Sequence, residues 1–388
     1  MTRQSGRRPG ADSFHNPPAR GAVHHQGRPL RTSGAGRRVT GRPYHRRVQT
    51  AEERLDAYLR SRLPGDADVI VERHEFGHSN VTYFVTRGAD RYVLRRPPEG
   101  PLPPGTHDMR REYRVLAGLD GMGVRAPRAV LLCEDESVLG APFYVMERVD
   151  GVVVREELPA AFDSMEDRRR IGEELVDALV ELHAVDRHSA GLGDFGKPDG
   201  FCARQVRRRR EQLAMTVPHT RPQPDLEKIA DWLRENVPES PAPTLVHGDY
   251  NLHNVGFAPE SPARLVAIYD WELATAGDPL TDVGWMIALW REAGDPGSGL
   301  GDLAMTALPG FLTRAELAAR YEERSGRPFD NPTFYCVLAM FRLAIALEGL
   351  YALHLLGTSD DPWHANMEFV VPALADGALA LIGGAAPL

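Results

Sequence analysis

Between residues 50 and 149, the pattern of apolar and polar positions predicts a small sheet flanked by helices. Thr50 and Glu53 have the spacing of a capping box, and the apolar positions after them recur at helical intervals. A second helix is predicted to begin at Thr106. Segments rich in alternating, β-branched and aromatic residues predict strands at 68–75, 80–86, 91–96, 128–133 and 142–149, with a turn at 134–137. Three strands, a helix and two strands indicate a largely antiparallel sheet carrying one helix.

After residue 150 the apolar positions recur mainly at helical spacing. One helix is predicted to be capped near Ser164, and others are predicted around 201–214, 225–236, 279–292, 313–324, 331–356 and 366–382. The most apolar segment, 337–350, carries Arg342 and Glu348 and is short for a membrane span, so we interpret it as a buried helix and expect no membrane partner. The change of pattern predicts two folded regions, 50–149 and 150–388.

The first 50 residues differ in composition from the rest of the 388-residue chain. They contain 11 Arg, no Lys and one acid, Asp12, giving +10, whereas the remainder carries −18 and the whole chain −8. Few large apolar groups are present, so we predict a disordered basic extension over residues 1–49. A basic arm for a polyanion and an Arg-rich transit peptide are the alternatives. We expect no nucleic-acid partner, although the basic arm keeps that alternative open.

Three cysteines, Cys133, Cys202 and Cys336, are far apart and lack the spacing of a metal site. An odd number of dispersed cysteines favours a reducing compartment and small buried thiols over a disulfide framework. The N-terminus shows no pattern of a signal peptide. We therefore expect a cytoplasmic protein.

Two short motifs carry the chemistry: HGDYNLHN at 247–254 and, sixteen residues after Asn254, DWE at 270–272. Apolar runs at 244–246, 254–257 and 265–269 predict three short strands that bring both motifs to one side. An Asp, an Asn five positions later and a further acid are what phosphoryl transfer requires. Asp249 is therefore predicted to accept the proton of the attacking hydroxyl, and Asn254 and Asp270 are predicted to hold Mg²⁺ against the ATP phosphates. The alternative is a polar loop followed by an unrelated strand.

A phosphate-binding loop is expected between the first two predicted strands, where Gly77, Ser79 and Asn80 lie. The Ser79 hydroxyl and nearby backbone N–H groups are candidates to contact phosphate, although one glycine also fits an ordinary hairpin turn. At the lobe boundary, backbone groups of Glu147 and Val149 are placed to bind the adenine edge. That inference rests on position alone.

The third predicted strand ends in Arg95 and Arg96, and the following helix carries Glu112. Because successive strand residues face opposite sides, only one arginine points inward, and Arg95 shares a face with Val93. A guanidinium can hold two phosphate oxygens where an ammonium acts as a point charge. Arg95 paired with Glu112 is therefore the predicted phosphate-binding cation; a surface Arg and a solvated Glu are the alternative.

The chain resembles the aminoglycoside phosphotransferase family, and more narrowly the phosphotransferase domain associated with acyl-CoA dehydrogenases and its free-standing bacterial relatives. The resemblance is carried by GHSNVTYFV, YVLRRPPEG, LGAPFYVMERVDG, LVHGDYNLHNVGF and DWELATAGDPLTDVGW, and spans about 77–350. It implies an α+β, bilobal protein-kinase-like fold with a small antiparallel-sheet N-lobe and a mainly helical C-lobe. It also implies Glu272 as an additional acid near the metal. Arg95 departs from the lysine usual across the wider family.

The resemblance implies an ATP- and Mg²⁺-dependent kinase acting on a small-molecule hydroxyl. Arg204 and Arg207 to Arg210 place at least five cations on one predicted helix, which would suit an anionic acceptor such as a hydroxyacyl-CoA if they lay near the acceptor site. A solvated basic helix is the alternative. An antibiotic phosphotransferase and a nucleotide-binding pseudokinase scaffold are the other functional hypotheses.

Overall fold

The computed structural model describes residues 50–74, 80–100, 107–155, 157–295, 304–359 and 361–388. The predicted extension, residues 1–49, and two predicted phosphate-loop residues, Gly77 and Ser79, lie outside the described residues.

The first part of the fold is a five-stranded antiparallel sheet. Its strands are β1 (Val69–His74), β2 (Val81–Arg87), β3 (Asp90–Arg96), β4 (Ala129–Cys133) and β5 (Phe143–Glu147). They lie in the order β1-β2-β3-β5-β4, and every adjacent pair is antiparallel. All five predicted strands are confirmed to within one residue at each end, except that β5 ends two residues earlier than expected.

Helices α1 (Ala51–Arg62) and α2 (Met109–Leu119) flank this sheet. The capping box of α1 is confirmed, because the Thr50 hydroxyl accepts the Glu53 N–H and the Glu53 carboxylate accepts the Thr50 N–H. Thr106, the predicted cap of α2, lies outside the described residues, and the observed cap is Asp108, whose side chain accepts the N–H groups of Arg110 and Arg111. An Asp caps as well as a Thr does, so composition could not decide between positions two residues apart. The predicted turn at 134–137 instead leads into a short helix, α3 (Glu136–Leu139).

The rest of the chain is mainly helical, with two small antiparallel ribbons. Its helices are α4 (Met165–His183), α5 (Phe201–Thr216), α6 (Pro224–Glu235), α7 (Leu280–Leu289), α8 (Arg314–Ser325), α9 (Pro332–Leu355) and α10 (Met367–Ile382). Strand β6 (Thr244–Val246) pairs with β9 (Thr275–Gly277), and β7 (Val255–Phe257) pairs with β8 (Leu265–Ile268). All seven predicted helices and the first three short strands are confirmed, whereas β9 was not predicted.

Helix α9 contains the segment predicted to be a buried helix, and most of its residues are buried, including Arg342 and Glu348. By length and composition, α9 and the stretch Pro362–Ile382 could each cross a membrane, with 61% and 39% of their most apolar windows buried. Core helices of soluble proteins meet the same criterion. The absence of a membrane partner stays a prediction.

Candidate active site

The first motif forms a loop that is anchored by a buried carboxylate. Strand β6 ends at Val246, and the backbone N–H groups of His247 and Gly248 donate to the two oxygens of Asp282 at 2.7 and 2.8 Å. Burial disfavours the charge on Asp282, but its bonds from His183 and from the loop prevail and lower its pKa. Gly248 has φ 87°, and a Cβ there would lie 2.8 Å from the Leu273 carbonyl oxygen. The loop therefore has a fixed backbone that only glycine fits.

Asp249 follows directly and presents an oriented carboxylate. Its Oδ1 accepts from Asn251 Nδ2 at 2.9 Å, and its Oδ2 accepts from Asn254 Nδ2 at 2.8 Å. Burial and the nearby charge of Asp270 raise the pKa of Asp249, while His247 and the Asn254 hydrogen bond oppose that shift. A carboxylate with a raised pKa is a stronger base, which suits acceptance of a hydroxyl proton.

His247 joins the two motifs. Its Nε2 lies 2.8 Å from the Tyr269 carbonyl oxygen, which can only accept, so Nε2 carries the proton. Its Nδ1 lies 3.3 Å from the Asp249 N–H and therefore accepts. The fully buried ring holds this loop, the candidate catalytic loop (247–254), against the residue that precedes Asp270.

Asp270 lies just beyond β8 and takes a left-handed backbone conformation, φ 61°. This conformation is uncommon except for Gly, Asn and Asp, so it marks a specific placement of the side chain. Its Oδ1 is buried and has no hydrogen-bond partner among the described residues; its one cation within reach, Arg95 Nη1, is 3.7 Å away. A buried carboxylate oxygen left open in this way needs a further partner.

The residues present fit a magnesium ion. Asp270 offers an open oxygen, and Asn254 directs its amide nitrogen to Asp249, which leaves Asn254 Oδ1 available. Among the described residues, no three His, Cys, Asp or Glu side chains are grouped to hold a metal alone. Mg²⁺ beside a nucleotide is ordinarily bound by one or two protein oxygens plus substrate phosphates, so this donor set suits it.

Behind Asp270 lies a buried polar cluster around Glu112. Arg95 Nη1 is 3.1 Å from Glu112 Oε2, which also accepts the Tyr144 hydroxyl at 2.9 Å. Asn80 Nδ2 donates to Glu112 Oε1 at 3.0 Å and lies 3.4 Å from Glu272 Oε2. The predicted partnership of Arg95 with Glu112 is thus observed, and Asn80 holds Glu112 as well as facing the cavity.

Charges within this cluster are strongly perturbed by burial. Burial raises the pKa of Glu112 to about 7, because Arg95 and Tyr144 offset only part of its desolvation. Burial disfavours the charge on Arg95, but Glu112 and Asp270 outweigh it and raise the pKa of the guanidinium. Arg95 therefore stays cationic while its partner titrates near neutral pH.

A cavity of about 620 Å³ opens between the sheet and the catalytic loop. It is lined by Asn80, Arg95, Glu147, Val149, Asn254 and Asp270 from the predicted set, together with apolar side chains such as Phe84, Val93, Met146 and Tyr269. The Val149 backbone N–H has no hydrogen-bond partner in the described part of the chain. An apolar slot ending in open backbone and cationic groups matches the shape and polarity of a nucleotide.

Sequence reasoning missed the residues that support the site from behind. Asp282 anchors the catalytic loop, Tyr144 holds Glu112, and Arg342 donates from Nη2 to the Gly248 carbonyl at 2.7 Å. Two of them carried a usable signal, because Asp282 and Arg342 each interrupt an otherwise apolar helical segment. A charged residue kept in such a segment needs a specific partner.

The arginines of α5 that the sequence grouped together have partners within the chain. Arg207 faces Glu211, and Arg210 pairs with Glu227 and Asp231, while Arg204 donates to the Lys197 and Asp199 carbonyls. These contacts agree with the alternative of a solvated basic helix, and a role of α5 in binding an anionic acceptor stays a prediction.

Comparison with known proteins gives a consistent result. A family model described as "Phosphotransferase enzyme family" matches residues 70–328. The chain is 34% identical over 317 residues to acyl-CoA dehydrogenase family member 11 of Rattus norvegicus, covering 79% of this chain and 40% of that protein. It is 34% identical over 322 residues to family member 10 of Mus musculus, covering 81% and 30%. The chain thus spans well under half the length of these relatives.

A crystal structure from Ralstonia eutropha JMP134, described as a candidate aminoglycoside phosphotransferase, is 33% identical with a TM-score of 0.72. The match covers 86% of this chain and 98% of that one. This likeness confirms the predicted fold class, an α+β bilobal kinase-like fold. The lobe limits 50–149 and 150–388 stay predictions.

Proposed function

The chain belongs to the phosphotransferase enzyme family, and from that premise we propose that it is an ATP- and Mg²⁺-dependent kinase. In this proposal it transfers the γ-phosphoryl group to a hydroxyl of a small molecule, with a hydroxyacyl-CoA or related metabolite as the acceptor class. The bond formed joins phosphorus to the acceptor oxygen, the bond broken joins phosphorus to the β–γ bridging oxygen, and ADP leaves.

The observation that carries the proposal is the different setting of two neighbouring carboxylates. Asp249 accepts from the Asn254 amide and is close enough to Asp270 for that charge to raise its pKa, whereas Asp270 lines the cavity with an open oxygen. One carboxylate suits a base and the other suits a cation ligand. Phosphoryl transfer requires both within a short distance of one phosphate.

Asp249 is the proposed base. The bonds from Asn251 and Asn254 hold its carboxylate in one orientation, and its raised pKa favours proton acceptance from the attacking hydroxyl. Asn254 and Asp270 would hold Mg²⁺, which when bound neutralises phosphate charge. The other residues of the site would position the substrates and stabilise the charge of the transition state.

Arg95 and the cavity would hold the nucleotide. Arg95 is kept in place by Glu112 and stays cationic, so it can contact phosphate oxygens at the cavity end nearest Asp270. The Val149 N–H lies in the cavity lining on the strand side, where it would donate to the adenine edge. Glu272 would add negative charge close to this cluster.

Support for the acceptor class comes from the relatives, whose names place them with acyl-CoA dehydrogenases. The Ralstonia structure supports a second candidate, an aminoglycoside acceptor. Aminoglycosides are polycations, and the buried cation of Arg342 beside the Asp249 loop disfavours them there. A hydroxyacyl-CoA or related metabolite is therefore the preferred acceptor class.

The test is ATP consumption by the purified protein with Mg²⁺ against 3- and 4-hydroxyacyl-CoAs, aminoglycosides, macrolides, choline and sugars. Asp249→Asn is the inactive control, and Asp66→Asn, an exposed aspartate, is the matched substitution. Turnover with hydroxyacyl-CoAs, lost only in Asp249→Asn, is expected, with a fall of about 10²- to 10⁴-fold. Turnover with aminoglycosides alone would show that the acceptor is an aminoglycoside and not a hydroxyacyl-CoA. Nucleotide binding without any turnover would favour the pseudokinase alternative.

A further inference from the structure

Arg209 on α5 and Arg342 on α9 lie on two helices that pack against each other, and Arg342 contacts the loop that carries Asp249. On α5, Arg209 lies seven residues after Cys202 and four before Leu213, which are both buried, so it shares their inward face. On α9, Arg342 lies seven residues after Tyr335. Cys202 Sγ and the Tyr335 hydroxyl contact the same oxygen of Asp278, at 3.5 and 2.8 Å. Each helix thus carries an arginine two turns after a residue that contacts Asp278.

The pKa shifts of the two guanidinium groups agree with this placement. Burial, together with repulsion from Arg342 and Arg208, lowers the pKa of Arg209 to about 10. Burial likewise lowers the pKa of Arg342, with Asp282 and Asp249 opposing the shift. Two like charges in a buried setting repel each other, and an anion bound between them relieves that repulsion.

Neither arginine forms an ion pair with a described carboxylate. Arg209 bonds Gln212 Oε1 at 2.7 Å, a neutral acceptor in its own helix. Arg342 is only 6% exposed, yet its Nε has no hydrogen-bond partner among the described residues. Its Nη2 bonds the Gly248 carbonyl, and its guanidinium lies over the Trp285 ring at 4.8 Å. A buried guanidinium is ordinarily paired, so Arg342, together with the half-buried Arg209, suits an anionic partner.

We propose that Arg209 and Arg342 form a subsite that binds an anionic oxygen group of the acceptor next to Asp249. The proposal rests on the proposed kinase function and narrows its acceptor to molecules that carry a carboxylate or phosphate besides the hydroxyl. Two guanidinium groups offer several N–H donors in planar forks, which match either group. Arg342 is held against the catalytic loop, so the anion would fix the hydroxyl relative to Asp249. Arg209 is the specificity-determining partner, since it does not contact that loop.

The neighbouring arginines of α5 provide a matched control. Arg207 is exposed and faces Glu211 at 3.6 Å, one helical turn away. Arg207→Gln and Arg209→Gln therefore remove the same charge from the same helix. Only the second removes a cation from the proposed subsite.

The experiment is calorimetric titration of the full chain without ATP, using coenzyme A, neutral pantetheine and 4-hydroxybutyrate as probes. Wild type and Arg207→Gln are expected to bind an anionic probe more tightly than pantetheine. Arg209→Gln is expected to weaken that binding by about 10- to 100-fold, the value of one or two charge-assisted bonds. Arg209→Lys should recover part of it. A loss confined to coenzyme A identifies phosphate as the bound group, and a loss with 4-hydroxybutyrate identifies carboxylate.

The proposal is overturned if Arg209→Gln and Arg207→Gln bind every probe equally, or if no anionic probe binds wild type better than pantetheine. Steady-state kinetics with a hydroxyacyl-CoA separate this from the kinase proposal. An increase of KM in Arg209→Gln with little change of kcat supports both. If Arg209→Gln has a normal KM and turnover still depends on Asp249, the subsite proposal is wrong and the kinase proposal stands. If anion binding depends on Arg209 but no turnover is found, the subsite proposal stands and the kinase proposal is wrong.

Discussion

Arg95 Nη1 and Glu112 Oε2 lie 3.1 Å apart, and the Glu112 side chain is 1% exposed, so strand β3 and helix α2 are joined by a buried ion pair. The same guanidinium nitrogen is 3.7 Å from Asp270 Oδ1. One arginine thus links the sheet, its helix and the proposed metal ligand. Its position depends on a partner that is itself half protonated near neutral pH.

Replacing Arg95 by methionine is expected to lower both stability and nucleotide affinity. Removing one member of a buried ion pair costs about 3–5 kcal/mol, and Glu112 recovers part of that by taking up a proton. Arg95→Lys should keep most of the stability, with an intermediate nucleotide affinity, because an ammonium cannot fork. Urea unfolding and nucleotide titration measure these effects, with Arg96→Lys as the control. Wild-type nucleotide affinity in Arg95→Met would rule out the phosphate contact.

The stability of the protein should depend on pH through Glu112. Its pKa rises from 4.5 in the unfolded chain to about 7 in the folded protein, so the folded state holds the proton more tightly. The resulting stabilisation is complete below pH 4.5 and is lost as pH rises towards 7, by up to about 3 kcal/mol.

Glu112→Gln isolates this effect because it removes the titrating group and keeps its volume. The difference in unfolding free energy between wild type and Glu112→Gln should shift against wild type between pH 4.5 and 7.5. Urea unfolding at both pH values gives the double difference. A difference independent of pH would mean that Glu112 stays ionised throughout.

The sequence predicted those parts of the fold that local periodicity determines. Strand alternation placed Arg95 rather than Arg96 towards Glu112, and helical spacing located seven helices after residue 150. Strand β9 was not predicted because Thr275, Ala276 and Gly277 form no apolar run, and the strand is defined by its pairing with β6 and by a bridge to Gly196. Such pairing is a long-range property that a local pattern does not contain.

A local pattern also could not orient the basic helix α5. Periodicity grouped Arg204, Arg207 and Arg210, but it could not say which face of α5 meets α9. The apolar neighbours of Arg209, Val206 and Leu213, carried that signal, since their burial fixes the inward face. Charge density alone does not distinguish Arg209 from the other arginines of α5.

Gly256→Ala should disturb the site through Tyr269. A Cβ at Gly256 would lie 2.5 Å from the Tyr269 hydroxyl and 2.9 Å from its ring, and Tyr269 both lines the cavity and precedes Asp270. Overpacking of this kind costs about 1–3 kcal/mol and should also weaken nucleotide binding. Gly349→Ala is the control, because nothing lies within 4 Å of its Cβ. Thermal unfolding measures the loss of stability, and nucleotide titration measures the loss of affinity. Unchanged nucleotide binding in Gly256→Ala would show that Tyr269 does not help to shape the site.

Asp270→Asn should remove the dependence of nucleotide affinity on magnesium. Asparagine has nearly the same volume and tolerates the left-handed backbone at this position, φ 61°, so the substitution mainly removes charge. Wild type is expected to bind ATP at least about tenfold more tightly with Mg²⁺ than with a chelator, and Asp270→Asn should show little difference, because its amide oxygen attracts a divalent cation weakly.

Asp249→Asn is the matched control. It removes the same charge five residues before Asn254 but from the proposed base rather than from a proposed ligand, so its Mg²⁺ dependence should persist while turnover disappears. Equal Mg²⁺ dependence in Asp270→Asn and wild type would assign the metal to other oxygens, and the buried Oδ1 of Asp270 would then serve Arg95 alone.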